Sequence, residues 1–421
     1  MKIGILTFHF AFNCGAVLQC FALQKTMTEL GNDVHVINYC PWYHQNRYAS
    51  RKNPFYYANK KRKEPAKNVF ERWKHWYQGF SDTVRSWKNT KVIREREDKF
   101  RAFRKAYLRE TRMYRTVRAL KKHSPKYDLY IAGSDQLWNR KLTDNRYDHA
   151  YFLRFGDKKV KRVTYAVGTY FENILDEQKQ MDPLIWLMDI VSLREEKWLE
   201  TVMRSTLPDK PFHVDIDPTL LLDASDYEPL LPKEPLETEP YILTYTMPGN
   251  AQNPANRAAK QLSDATGLKV IDVNGNPTKG NFQIKDHRVV SPAEFLWYVK
   301  HADYVVTNSF HGTVFSLLYE KRFMTILHAE TGNRVSELLD RLGLSDRCTT
   351  FATDVIQNID APVDWAGARQ KLLPLREESM RYLRYCCGKG ERPNLVMPKE
   401  VPILPKEAYR KPLRTASEPN P

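Results

Sequence analysis

Two successive runs of alternating strand-like and helix-like segments constrain this chain more than any other feature of it. In the first run, residues 2–8 (KIGILTF) read as a buried strand and Val17–Leu30 has helical spacing. Gly31 and Asn32 stop that helix, and Asp33–Tyr39 (DVHVINY) reads as a second strand. A strand, a helix and a strand so closely spaced form a right-handed parallel βαβ unit. Further strands are expected at Tyr127–Ala132, at Arg162–Val167 and within residues 213–223, with a long helical stretch over Asp176–Met203. Residues 224–240 (ASDYEPLLPKEPLETEP) then change character to a linker rich in Pro and Glu. The second run alternates strands at Tyr241–Thr246, Lys269–Val273, Tyr304–Thr307 and Phe323–Leu327 with helices at Asn256–Thr266, Pro292–Lys300 and Val335–Leu342.

The pattern predicts an α/β protein of two Rossmann-like domains, residues 1–223 and 241–387, facing a central cleft. A basic, mainly helical insert occupies residues 43–126 of the first, and a tail over 388–421 holds seven prolines and reads as a wrapping or disordered extension. In open parallel sheets, ligands sit beyond the carboxyl ends of the strands, so polar residues at those ends are the candidates for function.

Four joints are polar in a way that packing does not require. In FHFAFNCGAVLQ (8–19), Asn13, Gly15 and Gln19 mark a helix start whose cap and backbone N–H groups suit an anion. In GSDQLWN (133–139), Ser134, Asp135 and Gln136 follow a buried strand, where a plain Asx-turn fits as well. Arg194, in SLREEKW (192–198), leaves the apolar stretch IVSL. Its fork matches a carboxylate or phosphate, and Glu195 or Glu196 could also pair with it locally. In YVVTNSFHGTVFSLLY (304–319), Asn308, Ser309 and Gly312 keep the backbone open around His311. An imidazole at a strand end suits general acid/base work near neutrality, and a turn with a structural histidine is the plainer reading.

Taken in order and spacing, LTFHFAFNCGAVLQCFALQ, YIAGSDQLWN, SLREE, DPTLLL and TNSFHGTVFSLLY resemble the polysaccharide pyruvyl transferase family over about residues 1–345, the basic segment excluded. The resemblance implies a fold like that of the two-domain glycosyltransferases and transfer of pyruvate from phosphoenolpyruvate to a sugar as a ketal. It implies no cofactor beyond phosphoenolpyruvate as donor substrate, and no metal. It places the catalytic histidine at His311 and a phosphoenolpyruvate-binding arginine at Arg194, with Asn308, Ser309 and Gly312 beside them. Some members carry arginine two residues before the histidine, where this chain has Ser309; Arg334, in ETGNRVSELL, is the candidate substitute. Cys14 stands where an aromatic residue is common. Asp135 is the candidate for contacting the acceptor hydroxyl, and Asn13, Gly15, Gln19, Ser134 and Gln136 form the expected acceptor or anion loop.

No run approaches the ~18 apolar residues of a spanning helix, and the start MKIGILTFHF reads as a core strand and not as a signal peptide. The six cysteines (14, 20, 40, 348, 386 and 387) form no C-x-x-C pair and no zinc spacing, which predicts reduced thiols in a cytoplasmic protein. Charge is uneven. Residues 47–126 hold 26 Lys/Arg against 7 Asp/Glu, a net of +19, and the rest of the chain stands at −3. Within that segment VFERWKHWYQGF (69–80) puts Trp73, Trp76, Tyr77 and Phe80 on one helical face, and Phe100, Phe103 and Tyr107 continue a similar pattern. An aromatic face with a cationic flank fits an anionic membrane interface, and a lipid-linked saccharide acceptor would give a peripheral enzyme reason to be there. The confinement of the charge to one insert argues against nucleic acid. The competing readings are a sugar-nucleotide-dependent glycosyltransferase on the same scaffold, and a non-catalytic membrane- or nucleic-acid-binding adaptor.

Overall fold

The computed structural model describes residues 1–49, 51–87, 90–170, 180–181, 183–199, 202, 210–247, 253–273, 284, 286–328 and 332–397. The opening is the expected one: β1 (Lys2–Leu6), α1 (Cys14–Glu29) and β2 (Asp33–Val36), with β1 and β2 parallel. The basic insert follows as α2 (Trp42–Tyr48), α3 (Pro54–Lys61), α4 (Val69–Ser86), α5 (Thr90–Tyr107) and α6 (Val117–Lys122). Strand β3 (Leu129–Ala132) then pairs with the free side of β1.

Here the chain departs from expectation. At Asp135 it passes through a left-handed conformation (φ 84°) and starts β4 (Asp135–Trp138), which belongs to a second sheet. The same break recurs at Ala166 (φ 47°), so the single strand expected at 162–167 is two: β5 (Lys161–Thr164) beside β3, and β6 (Val167–Thr169) beside β4. With β7 (Val191–Leu193) and β8 (Phe212–Val214), the first unit holds parallel sheets ordered β2-β1-β3-β5 and β4-β6-β7-β8. The long helix expected over 176–203 is therefore not formed: its middle is β7, all of it buried. The local reason is a short β-branched apolar run with one polar side chain, Ser192, whose hydroxyl donates to Asp215 Oδ2 at 2.5 Å. Residues 176–179, 182, 200, 201 and 203 of that stretch lie outside the described residues.

In the second unit, α7 (Ala224–Tyr227) turns the start of the linker and buries Tyr227 against Phe315. The chain continues as β9 (Tyr241–Tyr245), α8 (Pro254–Thr266), β10 (Lys269–Asp272), β11 (Asp286–His287), α9 (Pro292–His301), β12 (Tyr304–Thr307) and α10 (Phe310–Leu318). It closes with β13 (Arg322–Ile326), α11 (Asn333–Leu342), β14 (Cys348–Thr349), α12 (Thr353–Asn358) and α13 (Trp365–Cys386). All strands are parallel, in the order β11-β10-β9-β12-β13-β14. That is the doubly wound order in which the chain leaves one side of its first strand and returns on the other. The architecture is two Rossmann-like units, as the alternation predicts.

Two helices tie the units together. From the insert, α5 buries Phe100 and Phe103 in the core, where the sequence pattern had them continuing a docking face. Its Lys99 Nζ donates to Val289 O (2.7 Å) and to Glu294 Oε1 (2.9 Å) in the second unit. From the other end, α13 returns to the first unit, where Tyr382 OH donates to Thr164 O at 2.7 Å and Arg376 Nε to Leu220 O at 2.8 Å. Beyond α13, Val396 forms a bridge to Phe212; residues 398–421 of the expected tail lie outside the described residues.

Candidate active site

Each unit has one place where the chain switches sides of its sheet, between β1 and β3 and between β9 and β12. The loops leaving these strands face each other across a cleft of about 320 Å³. Of the residues singled out in the sequence, Asn13, Asp135, Gln136, Asn308, Ser309, His311 and Arg334 line it.

His311 lies in the first turn of α10. Ser309 caps that helix, its Oγ accepting from Gly312 N at 3.4 Å. Gly312 allows the close approach to β12, because a Cβ there would stand 2.3 Å from Thr307 Oγ1. The imidazole reaches across to the first unit. A Cβ on Gly15 would sit 2.1 Å from both Cγ and Nδ1 of His311, so the glycine's missing side chain is the space the ring occupies. Gly15 is thus a seat for the catalytic candidate and not an anion loop.

Behind the ring stands a carboxylate that the sequence reading gave no role. Asp217, from DPTLLL, is fully buried, and its Oδ2 lies 3.5 Å from His311 Nε2, an ion-pair distance and not a formed hydrogen bond. The same oxygen accepts from Arg194 Nη1 (2.9 Å) and Ser134 Oγ (3.1 Å), while Oδ1 accepts from the Thr219 hydroxyl (2.7 Å) and backbone N–H (3.1 Å). Burial opposes its ionisation, yet the positive charges of His311 and Arg194 and the hydrogen bonds from Arg194 and Thr219 hold its carboxyl well below the usual range. His311 Nε2 is buried on the side of Asp217, and Nδ1 lies on the side of the ring that packs over Gly15.

Three assignments need correction. Arg194 does not face the cleft: its Nε donates to Glu195 Oε1 at 3.0 Å and its Nη1 to Asp217, and Phe310 covers the guanidinium at 4.6 Å. A guanidinium this deep must be neutralised by carboxylates, so the local pairing prevails. Ser134 is fully buried in the same network, and Gln19 is fully buried with its Nε2 donating to Thr7 Oγ1 and Ala16 O. Neither belongs to a loop that a substrate can touch.

The remaining residues divide by how they are already engaged. Asn308 grips the exit of β9, accepting from Met247 N at 2.6 Å and donating to Met247 O at 2.8 Å. Asn13 caps α1 and also accepts from Tyr245 OH across the cleft at 3.4 Å. Gln136 accepts from Asn139 Nδ2 at 3.3 Å. Asp135, held in its left-handed conformation, accepts from Gln136 N at 2.8 Å and presents a carboxylate to the cleft. The cations on the cleft wall are Arg334 and Arg47, the second unmarked in the sequence. Burial, then the neighbouring Arg194, push Arg334 down to about 10. The signal for Asp217 was its place, an Asp-Pro-Thr turn directly after a strand.

The four aromatic residues read as a docking face also divide. Trp73 and Tyr77 are exposed, at 58% and 67%, with Phe70 beside them at 81%. Trp76 and Phe80 stack at 5.6 Å and pack on Phe55 of α3, and Trp76 Nε1 donates to Asn59 Oδ1.

Among solved structures, a protein from Listeria monocytogenes described as a UDP-N-acetylglucosamine 2-epimerase aligns with TM-score 0.51 at 7% identity, over 94% of this chain and 99% of its own. The MnaA–UDP structure from S. aureus aligns with TM-score 0.49 at 8% identity, covering 93% and 99%. The Methanocaldococcus jannaschii UDP-GlcNAc 2-epimerase, in complex with UDP-GlcNAc and UDP, aligns with TM-score 0.43 at 11% identity, covering 90% and 100%. At such identities the first supports the two-domain fold and nothing finer. No curated protein sequence matches the chain. A family model does, over residues 13–330, a span that takes in the cleft's walls from Asn13 to His328, and on that match the chain belongs to the polysaccharide pyruvyl transferase family.

Proposed function

We propose that this transferase moves pyruvate from phosphoenolpyruvate to two hydroxyls of a sugar, forming a ketal, and that the sugar belongs to a lipid-linked saccharide in polysaccharide assembly. The observation that carries the reading is the His311–Asp217 pair at the meeting of the two switch points, with Arg334 and Arg47 lining the same cleft. In the reaction, a proton is added to the terminal enol carbon, which becomes a methyl group, and positive charge develops at the adjacent carbon. One sugar hydroxyl attacks there and loses its proton; the second displaces phosphate and loses its own. The His311 imidazolium supplies the first proton, and Asp217 compensates the charge on the ring. Arg334 and Arg47 meet the phosphate and carboxylate, since a guanidinium fork pairs with either. Asp135 faces the acceptor hydroxyl.

Docking at an anionic membrane belongs to the same reading. No helix among the described residues is long and apolar enough to cross a membrane. What α3 and α4 expose instead is Phe55, Val69, Phe70, Trp73 and Tyr77 amid the chain's basic segment, more apolar surface than an isolated helical hairpin leaves without cause.

Incubation with phosphoenolpyruvate and a panel of saccharides should release phosphate and add one pyruvyl group to the acceptor by mass. His311→Ala should lower that rate by roughly 10²–10⁴-fold, the range for a lost general acid. Release of nucleotide from a sugar nucleotide in place of phosphate would establish the glycosyltransferase reading, and a folded His311→Ala enzyme at full rate would remove the histidine from the chemistry.

A further inference from the structure

On the far side of α2 from the cleft lies a second pocket, of about 490 Å³, lined by aromatic rings and guanidinium groups. We infer that this pocket is a saccharide-binding subsite, holding acceptor units beyond the one that is modified. The inference rests on the ketal-transfer reading for the identity of the acceptor, and on the pocket's own chemistry for the ligand class.

Position comes first. The wall between the two spaces is a single helix and a single loop. On α2, His44, Arg47 and Tyr48 border the cleft, while Trp42 and Tyr43 border the pocket. In the loop after β4, Leu142 borders the cleft, and Asp144 and Arg146 border the pocket. A chain whose end unit reaches His311 is therefore one helix away from this space.

The surface has the composition that sugar rings require. Trp42 is 54% exposed, yet the Arg115 guanidinium holds its ring from 5.2 Å. An exposed, fixed indole offers a flat apolar face to the C–H side of a pyranose, and the Arg115, Arg146 and Asp144 side chains offer planar groups to adjacent hydroxyls. The floor is rigid: buried Asp148 accepts from Tyr39 OH (2.7 Å), Tyr43 OH (2.6 Å) and Ala150 N (2.9 Å). The loop is held in an uncommon form, with consecutive Asp144 and Asn145 at φ 61° and 58°; Arg140 binds Asn145 O and Lys60 binds Asp144, both at 3.0 Å. Such conformations persist where the surroundings impose them, which is most often at functional sites. Two arginines against two aspartates make the lining balanced in charge, which suits neutral sugars and disfavours a polyanion.

The test separates this site from the catalytic one. An array of neutral hexose and N-acetylhexosamine oligosaccharides, one to six units long, is probed with the wild-type chain and with Trp42→Ala, Arg115→Glu and His311→Ala. The wild type and His311→Ala should bind a shared subset that strengthens with length, and the two pocket variants should lose about tenfold in affinity or more. Where a transfer assay succeeds, the KM penalty of Trp42→Ala should grow with acceptor length. Pocket-variant affinities equal to the wild type, or no wild-type binding to any oligosaccharide, would overturn the subsite. Array binding that depends on Trp42 without phosphoenolpyruvate-dependent transfer would keep the subsite and overturn the ketal reading; transfer without any length-dependent penalty would do the reverse.

Discussion

His311 and Gly15 are separated by almost the whole length of the family match and touch in the cleft. Gly15→Ala would add a methyl where the imidazole lies, forcing the ring off its place. A misplacement of about 1 Å costs on the order of 10² in rate, so kcat should fall about that far; because His311 Cβ would stand only 2.6 Å from the new methyl, overpacking should also cost roughly 1–3 kcal/mol of stability. Steady-state kinetics beside a thermal melt checks both. Asp217→Asn should cost about 3 kcal/mol of stability for another reason, because it breaks a buried network around Arg194. The sign with pH follows from the depressed carboxyl. The ionised form's contribution is present above the usual carboxylate value of 3.8 and is lost as pH falls below it towards the folded value. The gap between variant and wild type in denaturant melts should be constant from pH 8 to about 5 and narrow in stronger acid. These two residues also show what a single sequence conceals. His311 was legible because a strand end flanked by small residues is a recognisable place; Gly15 was visible as a glycine, but its purpose depends on a residue nearly 300 positions away. Asp217 stood in a stretch read only as a strand, and the turn it caps through Thr219 N gives no sign of the histidine it meets.

At the scale of elements, alternation revealed the strands buried along their whole length, such as β9 and β12. It failed where a strand breaks and changes sheet, because the left-handed residues at the breaks, Asp135 and Ala166, carry no glycine to announce them. Helix α13 carries a pH-dependent joint of its own. His213, on β8, has Asp215 Oδ2 at 3.0 Å and Glu378 Oε1, on α13, at 3.3 Å, with its ring stacked on Tyr382 at 4.8 Å. Burial alone would lower its pKa; the two carboxylates outweigh burial and raise it above the ordinary 6.5. A raised value means stability fully present below about pH 6.5 and lost as pH rises through the folded value. Wild-type melts should weaken from pH 6 to 9, and His213→Gln should flatten that slope. An unchanged slope in the variant would assign the pH dependence to another group.

For the whole molecule, charge and apolar exposure coincide on the α3–α4 hairpin. Binding to vesicles containing anionic lipid should be measurable by co-sedimentation and should weaken sharply with salt, since exposed charges are screened over about 8 Å at physiological ionic strength. Phe70→Ser with Trp73→Ser should reduce it several-fold. Trp76 is a poorer choice, because it packs within the hairpin. Stronger competition by single-stranded nucleic acid than by anionic lipid would give the surface to the other class of polyanion.

The contacts across the cleft also bear on how such enzymes can be recombined. A parallel-sheet unit of this kind looks like a cassette, and exchanging the first one between relatives would be the obvious way to transplant acceptor preference. In this chain the exchange is constrained at three points: Gly15 must leave room for His311, Asn13 must meet Tyr245, and Lys99 must find Glu294. A donor half with any side chain at the position of Gly15 would disable the recipient's histidine, however well its own pocket suited the new sugar. Successful chimeras should therefore inherit residues 13–15, Lys99, Tyr245 and α9–α10 from one parent.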